Sequence, residues 1–394
     1  MQNRGIKNVS NVGTVSGFRL EGEVLHWDSM GESAVYRLID TEYNVTYTTH
    51  NMFDMTKRNL LIGVYPAAVK SLLMCDIPYL SGEGTKKQPY EIKTPFDLRA
   101  IDYYEMKSAE SGERNNYKIV KNLDYDTVGA LDGESNLFTL KKPFRGVLDG
   151  DGKTLLDISA HYDGGYFALF DFVAKGGVVK NITFLSPVIT NRLQSADHPL
   201  DASIATVANR NYGEISNINV TGAKYASAGG EVCGIASHNF GIVRSCRVDG
   251  EFIEERVGLI SQACYEMAGL VTENGAGGIV ADCTAVKIAI RGAECTGEDG
   301  GKYRNVRSAG GVVSVNRAGG LILNCGYNTV VFSDVGNSSA FEYGGVVAYN
   351  AGTVKCGDAL GTMTVNGELT AIRVGEARVG LRGTLVGKND GTVE

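Results

Sequence analysis

GIASHNFGIVRSCRV, residues 234–248, decides the fold. Through IVRSCRV, apolar and polar residues alternate, the pattern of a strand with one buried face. Ahead of it an Asn and a Gly, two residues apart, read as a sharp corner with positive-φ positions. The same phrase recurs as GGVVKNITF at 176–184, ANRNYGEISNINV at 208–220 and GLVTENGAGGIVADCTAV at 269–286. It returns as GGVVSVNRAGGLILNCG at 310–326, GGVVAYNAGTVKCG at 344–357 and GTLVGKNDGTV at 383–393. The turn glycines Gly177, Gly213, Gly241, Gly278, Gly320, Gly352 and Gly391 are spaced 36, 28, 37, 42, 32 and 39 residues apart. A constant phrase inside a drifting period fits a coil with a fixed core and variable loops.

A second Asn follows the β-branched pair: Asn181, Asn217 and Asn324, replaced by Ser245 and Asp282 on other copies. After it comes Ile182, Ile218, Cys246, Cys283 or Cys325. Coils stacked at the ~4.8 Å strand spacing turn such positions into ladders. The Ile/Cys ladder points inward; the Asn ladder marks a corner where amides hydrogen-bond along the axis. The fold class expected is therefore all-β, a parallel β-helix solenoid. A helical repeat is disfavoured by the GG runs and by the β-branched pairs Val178-Val179, Ile242-Val243 and Ile279-Val280.

Composition agrees. Glycine numbers 51 of 394 residues and proline only 7, which fits many tight turns and excludes collagen and proline-rich linkers. With 43% hydrophobic and 21% charged residues the chain is not intrinsically disordered. The net charge is −7 and no basic run exceeds two or three residues, so no nucleic-acid partner is expected. The longest apolar stretch, LLIGVYPAAV at 60–69, is too short to span a bilayer, so no membrane insertion within the chain is expected. MQNRGIKNVSNVG carries no secretory apolar core. The chain stops at LVGKNDGTVE, inside a repeat phrase, which reads as a piece of something longer.

Residues 1–80 read differently. FRLEGEVLHW (18–27), AVYRLIDTEYNVTYTT (34–49) and 60–68 are strand candidates, with Trp27 and Tyr36 in a small β-sandwich core. This segment resembles a fibronectin type III or immunoglobulin-like module. Residues 81–114 read as a linker with a capping strand and helix; Thr94 is the expected N-cap, with Pro95 at the first helical position. The solenoid is expected over 115–394.

The string from PYEI (89–92) through FDL (96–98), YKI (117–119), FRG (144–146), LDGDGKTL (148–155) and VVKNIT (178–183) resembles the opening of bacterial surface proteins with GLUG-type repeats. GIASHN and LVGKN are similar to that repeat itself. The resemblance covers 85–394. It implies a right-handed parallel β-helix on exported proteins, mostly adhesins, and hence an extracellular or cell-surface location. It carries over no catalytic residues.

DGDG at 149–152, with His161, Asp163 and Asp171 nearby, is the best candidate for paired catalytic carboxylates, Asp149 and Asp151, as in polysaccharide lyases and glycoside hydrolases. Its competing reading is a tight turn. The same pair fails as a calcium loop because Lys153 occupies the third ligand position. GEGTK at 82–86 is not a phosphate loop, and GAGG at 275–278 leads into a strand and not a helix. The five histidines, 26, 50, 161, 198 and 238, are scattered, and zinc-type spacings are missing, so neither cofactor nor metal is expected. Of the eight cysteines (75, 233, 246, 264, 283, 295, 325, 356), Cys246, Cys283, Cys325 and approximately Cys356 share one ladder site. They are expected as buried free thiols.

Tyrosines placed in long loops supply candidate ligand contacts: Tyr162, Tyr166, Tyr225 and Tyr303, with Tyr265, Tyr327 and Tyr343. The function expected is a non-enzymatic adhesin presenting variable loops to a host glycan or surface protein. The alternatives are a carbohydrate-active β-helix enzyme and a phage tail receptor-binding protein. One observation separates the first two. An enzyme should show a compact acidic or Arg/Lys-Asp cluster on one sheet face; a binder should show a long face of aromatic and polar residues without perturbed carboxylates.

Overall fold

The computed structural model describes residues 80–125, 139–162, 165–191, 203–227, 230–254, 265–292, 294–296, 302–304, 306–335, 342–357, 361–370, 382–383 and 385–394, with five short strands before residue 80. The chain is a parallel β-helix. Its described strands form one 18-stranded sheet and two sheets of seven strands each. The two smaller sheets run from Tyr166–Phe167 to Arg382–Gly383 and from Phe170–Val173 to Val386–Asn389, one strand per coil in each.

Columns of apolar side chains form the core. Val179, Ile215, Val243, Val280, Ile322, Val354 and Val393 stand in register on successive strands. Tyr90, Tyr117 and Leu148 extend the column in the other direction. A second column runs Ile189, Tyr225, Phe252, Ile290, Phe332, Val365. All but Tyr90 and Val393 are buried. Burying one such side chain contributes about 1.5–3 kcal/mol, so each coil adds a similar increment.

The corner after the β-branched pair is as the sequence implies. Asn181, Asn217, Ser245, Asp282 and Asn324 hold φ of 60°, 52°, 54°, 54° and 50°. Asn and Asp tolerate this left-handed region because their short polar groups bond locally. Asn217 Nδ2 donates to Asn181 Oδ1 at 2.7 Å, Asn181 Nδ2 to Asp149 Oδ1 at 2.9 Å, and Asn324 Nδ2 to Asp282 Oδ1 at 2.7 Å. The next residue turns inward, and Cys246, Cys283, Cys325 and Cys356 are buried free thiols. Cys356 arrives by a shorter corner. It follows Lys355, the partner of Leu323, with no left-handed residue between, and its sulfur lies 3.3 Å from the Cys325 amide.

The first Asn of the phrase does not behave as expected. Asn211, Asn239, Asn274, Asn316, Asn350 and Asn389 sit in strands, outside the left-handed region. They build a second amide ladder: each Nδ2 donates to the Oδ1 of the next coil's Asn at 2.8, 2.8, 2.8, 2.7 and 2.6 Å. All but Asn389 are buried. After Asn211, Asn239, Asn350 and Asn389 the glycine two residues on also has ordinary φ, whereas the longer turns after Asn274 and Asn316 place Gly277 and Gly319 at φ of 80° and 81°. Space is the reason for the glycine in the shorter turns. A Cβ on Gly213 would come within 2.3 Å of the Gly177 carbonyl oxygen, and one on Gly241 within 2.2 Å of that of Gly213.

Helices Pro95–Arg99 and Ile101–Ser111 close one end of the stack. Thr94 is the N-cap, its hydroxyl accepting from the Asp97 amide at 3.1 Å, and Pro95 opens the helix as expected. Asp102 accepts from the Lys141 and Lys142 amides at 2.9 and 3.0 Å. Glu105 accepts from the Arg145 and Gly146 amides at 2.6 and 3.0 Å and from the Tyr117 hydroxyl at 2.9 Å. These carboxylates satisfy loop donors that would otherwise be orphaned at the end of the stack. Strand Tyr90–Ile92 already pairs in parallel with Asn116–Ile119, so the long sheet begins before residue 115.

Before residue 80 there are two small antiparallel sheets. Arg19–Glu21 pairs with Val24–His26, and Tyr36–Asp40 pairs with Val45–Thr49 and Gly63–Val64. Each of the first two candidate segments is thus a hairpin. Trp27 and the packing of a sandwich lie outside the described residues.

Candidate functional site: the seam between the two seven-stranded sheets

DGDG lies within strand Val147–Leu156, where Asp151 and Gly152 take φ of 51° and 71° and shift the register against the next coil. Asp149 pairs with Lys180 at 3.1 Å; Asp151 pairs with Lys118 and Lys153, both at 3.2 Å. Burial pushes the Asp149 carboxyl up, but hydrogen bonds from Asn181, the Asp151 amide and Lys180 outweigh it and hold it below its ordinary value. Lys118, then Lys153, hold Asp151 below its own. Both are ionised groups in a corner, and neither has a proton to give at neutral pH.

Tyr225 is fully buried on the inward column, stacked on Phe252 at 5.4 Å, with its hydroxyl bonded to Thr206. It is a core residue and not a ligand contact, because the strand Glu214–Ser227 runs on past the corner where a loop was expected. Tyr327 and Tyr343 are buried as well. Tyr166 is half-buried at the start of a coil. Tyr162 and Tyr303 lie on strands Ser159–Tyr162 and Lys302–Arg304, and their side chains lie outside the described residues, as does that of Tyr265.

What the structure does bring together is a strip of charged and hydroxyl groups. In each coil a strand of one seven-stranded sheet turns sharply into a strand of the other, as Glu231–Cys233 turns into Ala236–Asn239. Side chains meet across this bend in a seam whose members Ser203, Ser308, Val315 and Glu342 are buried and whose Glu231, His238 and Glu273 are half-buried. One side carries Ser203, Glu231, Glu266, Ser308 and Glu342 in register or nearly so. The other carries Arg210, His238, Glu273, Val315, Tyr349 and Lys388, each the residue just before a ladder Asn.

The centre of the seam is tightly coupled. His238 Nε2 lies 3.3 Å from Glu231 Oε1. The Thr272 hydroxyl lies 2.8 Å from the Ser237 carbonyl and 3.3 Å from Glu231 Oε2, and can donate its proton to either. Arg317 donates through Nε and Nη2 to Glu273 Oε2 at 2.9 and 2.7 Å. Burial, then the charge of Glu273, pushes the Glu231 carboxyl up to about 7. Burial also pulls His238 below its ordinary value, so its imidazole is neutral at pH 7. Cys233, beneath Thr272, is pushed by burial to about 12 and is an inert thiol. Further along, Lys388 lies 3.6 Å from Glu342 and 5.1 Å above the Tyr349 ring, whose hydroxyl donates to Asp390 at 2.9 Å.

Outside the seam, Phe172, Tyr212 and Phe240 stack along the axis at 5.0 and 4.8 Å, with Tyr212 40% exposed. Sequence reasoning missed the seam because its members are single residues on separate coils. The signal was the position before each ladder Asn, which varies while the Asn does not.

No family model matches the chain. Over 151 residues it is 27% identical to halomucin of Haloquadratum walsbyi, covering 36% of this chain and 2% of that protein. Over 147 residues it is 28% identical to a "Putative Gly-rich membrane protein" of Evansella cellulosilytica, covering 36% of this chain and 15% of that one. The chain thus spans a small part of the length of these curated relatives. Among the described residues no helix is long and apolar enough to cross a membrane. A crystal structure described as a "putative immunoglobulin A1 protease" from Bacteroides ovatus aligns over 79% of this chain and 86% of that one, with 14% identity and a TM-score of 0.45. That neighbour's description names an enzyme, which runs against the expectation of a non-enzymatic protein.

Proposed function

We propose that the coil stack is the ligand-engaging segment of a bacterial surface protein of the GLUG-repeat adhesin type, preceded by a fibronectin type III-like module, which holds an extended host glycan or surface polypeptide along the seam. The observation that carries this reading is the succession of polar contacts along five stacked coils: Glu231 with His238 within one coil, Glu273 with Arg317 of the next, and Glu342 with Lys388 of the next, which also lies over Tyr349. Coils stack at ~4.8 Å, so a polymer lying along the axis meets a new donor or acceptor at each step. A surface location agrees with the name of the Evansella relative. The test is glycan-array and host-protein binding by the chain, with Arg317→Ala and Lys388→Ala. A reading centred on the seam requires each to weaken binding tenfold or more, while Lys118→Ala, in the Asp149 corner, leaves it unchanged.

A further inference from the structure

Toward the capping helices the seam becomes basic. Lys141, Lys142 and Arg145 lie on one coil, Lys175 on the next and Arg210 on the third, because Leu140 bridges Phe170, Phe144 bridges Val173 and Phe172 pairs with Arg210. At ~4.8 Å per coil these five cations span about 10 Å along the axis. Lys142 is half-buried and the other four are exposed. None of the five side chains makes an ion pair or a hydrogen bond with a described residue. Asp102 and Glu105 lie beneath them, but both are buried and spend their oxygens on the amides of Lys141, Lys142, Arg145 and Gly146. Asp171, half-buried on the middle coil, accepts from Asn209 Nδ2 at 3.0 Å. Arg114 adds a sixth charge, donating through Nε to the Arg145 carbonyl at 3.2 Å and through Nη2 to the Gly176 carbonyl. Like charges gathered without counter-ions repel one another, and a bound anion relieves that repulsion.

The same surface carries the aromatic stack. Arg145, Ala174, Tyr212, Phe240 and Gly275 hold one position on successive coils, as the amide bonds from Ala174 to Phe144, Tyr212 to Val173, Phe240 to Asn211 and Gly275 to Asn239 show. Phe172 stacks on Tyr212 at 5.0 Å and Tyr212 on Phe240 at 4.8 Å, the second pair 19° from parallel. Carbon atoms in contact sit ~3.5–4.0 Å apart, so rings with these centroid separations are offset like shingles. Tyr212 is therefore 40% exposed although it has a ring on each side. Gly275 leaves room for the last ring, since a Cβ there would come within 2.3 Å of Phe240 Cε1. Each shingle presents part of a face and an edge, and the edge is the positive end of the ring quadrupole. One coil further on, the sign changes at Glu273.

We propose that this end of the seam binds an anionic polysaccharide, its carboxylate or sulfate groups meeting Arg145, Lys175 and Arg210 and the apolar face of a sugar ring lying on Tyr212 and Phe240. This deepens the binding reading above and rests on it for a polymer lying along the axis. The cations select the anion, and the shingled rings select what bears it. A pyranose has a face of C–H groups that packs on an aromatic surface and a rim of hydroxyls that stays in water. A single-stranded nucleic acid needs a ring with a free face for each base, whereas these rings cover one another. The cations also end within three coils, too short a run for phosphate-by-phosphate tracking.

The experiment measures Kd of the whole chain for dextran sulfate, polygalacturonate and uncharged dextran, with polyglutamate and oligothymidylate as non-glycan anions. Expected is binding of the sulfated or the carboxylated polysaccharide, the tighter of the two naming the anion, with none of dextran and at least tenfold weaker binding of polyglutamate and oligothymidylate. The double variant Lys175→Gln/Arg210→Gln, whose parent side chains have no protein partner to lose, should weaken polysaccharide binding tenfold or more at an unchanged melting temperature. Tyr212→Ala should weaken the polysaccharide and leave polyglutamate as it was, and Lys118→Ala, a cation of the Asp149 corner, should change neither. Dextran bound as tightly as dextran sulfate, either non-glycan anion bound as tightly as the polysaccharides, or no binding of either anionic polysaccharide overturns the proposal. Polysaccharide binding that survives the double variant but is lost in Arg317→Ala and Lys388→Ala overturns it and leaves the seam reading standing.

Discussion

Replacing Asn274 by Leu keeps its branched shape, with bulkier methyl groups, and deletes one rung in the middle of the buried ladder. The structure sets the cost. Asn274 accepts from Asn239 Nδ2 and donates to Asn316 Oδ1, both at 2.8 Å, and donates to the Gly278 carbonyl at 3.2 Å. Asn239 retains contacts to the Gly241 and Ile279 carbonyls at 3.3 and 3.2 Å, so its amide is only partly orphaned. Asn316 Oδ1 loses its ladder donor in a fully buried site. One stranded acceptor at ~1–3 kcal/mol and two lost ladder bonds at ~1 kcal/mol each give about 3–5 kcal/mol. Asn389→Leu is the internal control, because that residue has one ladder neighbour, Asn350, and a bond to the Gly391 carbonyl at 3.1 Å. It should cost about half as much. Urea unfolding followed by far-ultraviolet dichroism reads both, with unchanged m-values confirming that the same surface unfolds. If Asn274→Leu lies within ~0.5 kcal/mol of wild type, or equals Asn389→Leu, the ladder does not hold the coils and the reasoning fails.

Glu231 predicts a pH dependence of stability. Its carboxyl titrates near 7 when folded against 4.5 for an ordinary glutamate, so between those values the folded chain keeps a proton that the unfolded chain loses. Stability should fall as pH rises through that window, by at most ~3 kcal/mol, and level off above it; a Glu231→Gln variant that keeps the same slope would assign the effect elsewhere. Gly241→Ala places a methyl against the Gly213 carbonyl and should cost ~3 kcal/mol or more, whereas Gly326→Ala, with open space around its Cβ, should be within ~1 kcal/mol of wild type in the same melt. Cys246, Cys283 and Cys325 should resist a thiol reagent in the native protein and react in denaturant without reductant, since burial and the contacts between their sulfurs raise Cys283 and Cys325 well above an ordinary thiol. Thiols that stay blocked until a reductant is added would contradict the ladder.

The ladders were legible because a coil repeats its chemistry. Val179, Val243 and Val280 recur at the same place in the phrase, and stacking at strand spacing follows from that alone. The two asparagines were not equally legible. Asn-x-Gly ordinarily signals positive φ, and only the stacked coils show that Gly213 is there to let one backbone approach another. Tyr225 failed for the opposite reason: a tyrosine within a polar stretch looks like a loop residue until its register with Ile189 and Phe252 is known. The seam was hidden because Glu231 and Glu273 are 42 residues apart and meet only through the bend between sheets. Asp149 and Asp151, one residue apart, were conspicuous and are lysine-paired.

The buried amide ladder also acts as a gauge that reads one residue per coil and ignores the chain between. Its rungs are separated by 28, 35, 42, 34 and 39 residues, yet the amides meet at nearly one distance. Closing a 42-residue excursion instead of a 28-residue one costs only ~0.4 kcal/mol of chain entropy. Length is therefore nearly free wherever the excursion leaves the asparagine and its glycine in place. Such a scaffold can accept new sequence at its rim, coil by coil, without renegotiating its axis, and whole coils can be duplicated as units because each arrives with its own donor and its own acceptor.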